Sequence, residues 1–156
     1  MALKCIEKSH KMHLEVGLPF FLSIHHRGLS MVHFYLGNLN EAKVHAEQAL
    51  KLSQTNHERY AEGISWIQLG RVLGKMEGSE LHKAEEYILQ GMKILEELET
   101  KPACAQGYLT LGQLYADAGQ KEKALETLKK AETMFQEMGM DFYLAQTKKL
   151  LETVRI

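Results

Sequence analysis

Seven of the eight histidines of this chain lie in its first half. Two pairs of them have spacings that suit metal chemistry. His10 and His13 are three apart and His26 and His33 seven apart. Either spacing sets two imidazoles on one side of a helix, an arrangement that zinc can use. Grouped imidazoles also take up protons between about pH 5 and 7, the chemistry of a switch. Glu96, Glu97 and Glu99 gather three carboxylates, but such a run is the ordinary solvated face of a helix. Other patterns are missing. There is no Gly-rich phosphate loop, His-Glu-x-x-His or Cys-x-x-Cys, and no serine nucleophile elbow. Cys5 and Cys104 are too few for a disulfide framework, which fits a reducing, cytoplasmic compartment. The sequence thus predicts no enzyme: no catalytic residue, no metal and no cofactor.

The elements that would carry these residues belong to an ordinary globular chain. Its 156 residues are 45% hydrophobic and 25% charged, with net charge −1. That balance argues against nucleic acid as the partner, since phosphate binding needs a basic excess. No apolar run approaches the roughly 20 residues of a membrane span. Met1-Ala2-Leu3-Lys4-Cys5 leads into charged residues, so no secretory leader is expected. Only two prolines occur, where about 5% is usual, and few breakers mean long helices. Met134 and Met138, and Met92 with Ile88, have helical spacing and read as packing.

The chain repeats itself. Leu69-Gly70-Arg71-Val72-Leu73 aligns with Leu111-Gly112-Gln113-Leu114-Tyr115 at an offset of 42, and with Leu29-Ser30-Met31-Val32-His33 at 40. His26, Trp66 and Tyr108 fall in register. So do the small residues Ala2, Ala42, Ala84 and Ala124, and the set Ser9, Ala49, Gly91 and Ala131. Residues 3–22 match residues 125–144 at an offset of 122, with Gly17 on Gly139 and Phe20 on Phe142. Each unit reads as two helices, A then B, from its 3.6-residue periodicity. Gly37 and Gly119 fall where helix A ends, a place for left-handed backbone. Asn38 is expected to cap the next helix. Pro19 and Pro102 stand at helix starts, and Gly78-Ser79 supplies a stop and a cap. A glycine inside a helix costs about 1 kcal/mol against alanine. Gly70, Gly91 and Gly112 therefore imply that two antiparallel helices approach closely there.

These residues resemble the tetratricopeptide repeat. Tyr108, Leu111-Gly112, Tyr115, Gly119, Ala124, Leu128 and Ala131 follow its pattern almost completely. Trp66, Leu69-Gly70, Ala84, Ile88 and Gly91 form a second unit. The first is degenerate, with His26 for the aromatic, Ser30 for the glycine and His33 for the tyrosine. Those places make His26 and His33 packing residues with satisfied rings, whereas His10 and His13 read as surface. The units are 40–42 residues long. In that, and in the run from Phe135 to Leu144, they look like the C-terminal repeats of large bacterial signalling proteins, cyclase- or ATPase-linked regulators. The resemblance implies an all-α, right-handed solenoid of antiparallel helix pairs, about eight helices in one domain. Residues 1–17 would be an orphan B helix, 18–55, 56–100 and 101–140 three repeats, and 141–156 a capping helix. Leu3, Ile6 and Met12 of the orphan helix would lack cover, so that end is expected to form a homodimer or to continue into a preceding repeat.

The resemblance also implies a function: a non-catalytic, protein-binding groove lined by the A helices. Its residues would be Arg27, Met31, Phe34 and Tyr35, then Ile64, Ile67, Arg71 and Lys75, then Gln106, Leu109, Gln113 and Asp117. The family's clamp for a terminal carboxylate needs asparagine where Met31, Arg71 and Gln113 stand, so chaperone-tail recognition is not expected. Arg27, Arg71 and Lys75 would suit an acidic segment, and Phe34 and Tyr35 an apolar one. The partner is a protein or peptide, with no nucleic acid and no membrane. The alternative is a structural module that self-associates through its uncapped N-terminal end.

Overall fold

The computed structural model describes residues 2–17, 21–76 and 81–155, with only the backbone at Ala2, Leu3 and His10. Pro19, Phe20, Gly78 and Ser79 lie outside the described residues, so their expected roles stay with the sequence. Eight helices form among the described residues, as the all-α reading requires. The chain divides into two compact units, Met1–Ile94 and Leu95–Ile156. The first holds α1 (Ala2–Val16), α2 (Leu22–Tyr35), α3 (Leu39–Thr55), α4 (Arg59–Leu73) and most of α5 (Leu81–Glu97). The second holds α6 (Lys101–Asp117), α7 (Lys121–Glu137) and α8 (Asp141–Arg155).

In the first unit α2 packs on α3, α3 on α4, and α2 reaches past α3 to α4. In the second, α6 packs on α7, α7 on α8, and α6 reaches α8. Contact with the next helix and the next but one is the signature of stacked hairpins, each too small to bury its own apolar face. Among the described residues, the turns after α2, α3, α5, α6 and α7 are short because one residue in each takes left-handed backbone. Gly37 has φ +79° and Gly119 +71°, and the next amide in each returns to the helix, Asn38 N to His33 O and Gln120 N to Tyr115 O, both at 2.9 Å. Two turns do the same without glycine, at His57 (φ +58°) and Glu99 (φ +54°). Asn38 does not cap α3 with its side chain. That side chain turns toward His33 Nδ1 instead, 3.5 Å away. Pro102 stands in the first turn of α6, where its missing N–H is no loss.

The register of small residues explains the packing. A methyl group at Gly70 would sit 2.7 Å from the Ala84 carbonyl oxygen, and one at Gly91 would sit 2.8 Å from Ile67 Cγ1 and against the Gly63 carbonyl. So α4 and α5 touch backbone to backbone. In the second unit a methyl at Gly112 would press on Leu128, 2.6 Å from Cγ. There Ala124, Leu128, Ala131 and Phe135 of α7 are fully buried, and Phe135 stacks on Tyr143 of α8 at 5.2 Å. Leu151 and Val154 of α8 are buried, while Lys148, Lys149, Glu152 and Arg155 are exposed.

Candidate partner-binding face

The expected groove residues fall on A helices that each unit treats separately. In the first unit, Arg27, Met31 and Phe34 are spaced one and two turns along α2. Arg27 Nη1 donates to the Met31 sulfur at 3.0 Å. Phe34 and Tyr35 meet edge to face at 5.6 Å. Arg71 reaches across from α4: its guanidinium lies 4.5 Å from the Phe34 ring centre and 5.2 Å from that of Tyr35, and Nη2 donates to the Tyr35 hydroxyl at 3.1 Å. Tyr35 is 66% exposed. This cation-on-aromatic cluster is the best-formed part of the face, and it presents a flat, charged surface to solvent.

Other expected residues are placed differently. Ile67 is buried, with its side chain against Gly91 of α5, and so is not open to a partner. Ile64 is half-buried. Lys75 lies in the turn after α4, its amide bonded to the Val72 carbonyl at 3.1 Å, and is exposed. In the second unit Leu109 is buried in α6. Gln106 is half-buried, and Gln113 donates to Asp117 at 2.9 Å at the exposed end of the helix. Tyr108 donates to Glu96 at 3.2 Å and accepts from Lys130.

Behind the α2–α4 face runs a ladder of polar links between the two A helices. Ser23, fully buried, donates to Glu58. Gln68 donates to Ser30 at 3.0 Å, both being buried. At the face itself the exposed Arg71–Tyr35 bond adds a third link between the same helices. Such bonds fix the spacing of α2 and α4, because a buried polar group left unpaired is costly.

The histidines cluster more than their spacing indicates. His26 Nδ1 lies 3.0 Å from His45 Nδ1, and His33 stacks on His45 at 5.5 Å. His13 is half-buried rather than on the surface, with Nδ1 bonded to the Ser9 carbonyl at 2.8 Å and its ring 4.4 Å from His25. His25 Nε2 meets Ser9 Oγ at 2.8 Å. His25 and His45 did not stand out in the sequence. For His45 one signal was available: it shares a repeat place with Tyr87. Among the described residues, no group of three or more His, Cys, Asp or Glu is arranged to hold a metal ion. Elsewhere, a shallow hollow of about 400 Å³ runs along His82, Glu85, Glu86, Leu89, Gln90 and Lys93. All six belong to one helix, α5. Among the described residues, no helix is long and apolar enough to cross a membrane.

Comparison with protein families matches residues 2–156 to the MalT-like TPR region. A search of curated proteins found no match.

Proposed function

Because the chain belongs to the MalT-like TPR family, we propose that it is a non-catalytic protein-interaction module. Its α2–α4 face takes a peptide or helix of a partner that sets an acidic side chain beside an apolar one. The observation that carries this reading is the Arg71 guanidinium spread over Phe34 and Tyr35. Arg27 and Lys75 flank it with positive charge, and Met31 adds an apolar step on α2. A surface already held by the buried links of α2 to α4 loses little freedom on binding. We place the module in the cytoplasm, as a regulatory part of a larger bacterial signalling protein. Its repeats would run as 18–55, 56–100 and 101–140, with Gln106, Gln113 and Asp117 extending the binding surface.

The test is capture of the partner followed by titration. Reversing Arg71 and Lys75 to glutamate should weaken binding about tenfold or more, since a hydrogen bond to a charged group contributes about 1.5–3 kcal/mol. Unchanged affinity would defeat the assignment. A second reading rests on α1, where Met12 is 54% and Val16 68% exposed, beside an exposed Leu14. This end would then pair two copies of the chain. Light scattering at high concentration decides it: a dimer that Met12→Asp and Val16→Asp dissociate supports the pairing, and a monomer removes it.

A further inference from the structure

Imidazoles join α2 to α3 at the places where an indole and a phenol join α4 to α5. His26 shares its repeat place with Trp66, and His45 shares its own with Tyr87. Trp66 and Tyr87 meet edge to face at 4.8 Å. His26 and His45 meet through their Nδ1 atoms at 3.0 Å, with ring centres 5.2 Å apart. We propose that the His26–His45 pair is a proton-sensitive latch, closing α2 against α3 at neutral pH and loosening when acidified.

The chemistry follows from the inventory of a ring nitrogen. A bond between two of them needs a hydrogen on one and a lone pair on the other. One extra proton on the pair leaves the bond intact, because an imidazolium still donates to a neutral ring. A second proton makes both nitrogens donors, destroys the bond and sets two cations against each other. The unfolded chain carries no such conflict. Once the pH falls through the imidazole range, the unfolded chain binds more protons than the closed hairpin. Stability is then kept through the first proton, down to about pH 6.5, and declines toward about pH 5 as the second is forced on.

The surroundings supply other charges. His33 stacks on His45. On α3, Glu41 lies one turn before His45, and Lys43 pairs with Glu47 at 3.8 Å. On α2, Arg27 is on the Met31 sulfur. Just before α4, Glu58 accepts from Ser23, and on α4 Arg59 pairs with Glu62 at 2.9 Å and Arg71 covers Phe34 and Tyr35. From α1, His13 faces His25. The latch stands whether or not the α2–α4 face binds a partner.

The test is a nitrogen-15 histidine titration of the full chain from about pH 8 to 5, with Tm read at each point. His26 and His45 should titrate in two separated steps, as coupled sites do. His45→Gln keeps a neutral hydrogen-bonding group, and the double variant His26→Trp, His45→Tyr installs the α4–α5 pair. The natural chain should lose about 2–4 °C more than His45→Gln over this range. A His25→Gln chain should keep the natural fall. Independent single-step titration of the two rings overturns the latch. So does an equal fall in His45→Gln, or loss of the fall in His25→Gln alone.

Discussion

The α4–α5 hairpin closes on glycine, whereas the α2–α3 hairpin closes on alanine and polar side chains. Gly70 and Gly91 let the α4 and α5 backbones meet. At the corresponding places the first hairpin has Ser30 and Ala49, both buried completely. Ala42 and Ala46 of α3 are also fully buried, so α3 keeps its side small along its length. Ser30 spends its hydroxyl on Gln68 of α4, which no glycine could do. One register therefore tolerates two solutions. Close approach by glycine gives apolar contact between the helices of one pair. A serine gives up some closeness and gains a bond to the next A helix.

The largest effect should come from filling the glycine contact. Gly91→Ala sets a methyl against the Gly63 carbonyl and 3.0 Å from the Ile67 amide nitrogen. Backbone atoms cannot swing aside, so the helix must shift. Overpacking of this kind costs about 1–3 kcal/mol or more, and the gain in helix propensity returns only about 1. A net loss of up to about 2 kcal/mol is expected, visible in chemical denaturation. The reverse exchange in the first hairpin, Ala49→Gly, should cost about 1 kcal/mol through propensity alone. If Gly91→Ala is neutral or stabilising, the two hairpins do not differ in closeness.

The small-residue register was legible because backbone contact demands small residues whatever else changes. Gly70 and Gly91 announced their packing in this way. The direction of groove residues was less legible. On α4, Ala61, Gly63, Ser65, Ile67, Gln68, Leu69, Gly70 and Val72 are all buried. A helix covered on most of its circumference has no single apolar stripe to mark inside from outside. For that reason the groove register points Ile67 outward, and Leu109 on the similarly covered α6, although both are buried. The repeat register matches His26 to Trp66 and His45 to Tyr87, but the ring contacts themselves, and that of His33, depend on how far α2 slides along α3. Asn38 has the right type for a cap, but the backbone bonds of the preceding turn already serve the helix end.

A smaller effect should come from giving the first hairpin the glycine of the second. Ser30→Gly removes the acceptor of the Gln68 amide, and Gln68 is buried. A buried donor without a partner costs about 1–3 kcal/mol. A loss of about 1.5 kcal/mol is expected, and Gln68→Leu in the same chain should recover much of it by removing the orphaned amide. Recovery measured in that double-mutant cycle ties the loss to the bond between α2 and α4. If Ser30→Gly stabilises the chain, the serine is a defect in the register and not a link.

The smallest effect has the opposite sign. The turn after α2 uses Gly37, but the turn after α3 uses His57, held at φ +58°. Left-handed backbone costs a side-chain-bearing residue roughly 1 kcal/mol. Glycine takes it freely, and loses some of that advantage through the greater freedom of the unfolded chain. His57→Gly should therefore raise stability by about 0.5 kcal/mol, which is about 1–2 °C in Tm for a chain of this size. His57 is exposed and removes no packing, so the backbone term should dominate. Glu99→Gly, in the second unit with φ +54°, should give a similar gain. A loss at His57 with a gain at Glu99 would mean that the histidine side chain steadies the first unit's turn beyond what its backbone needs.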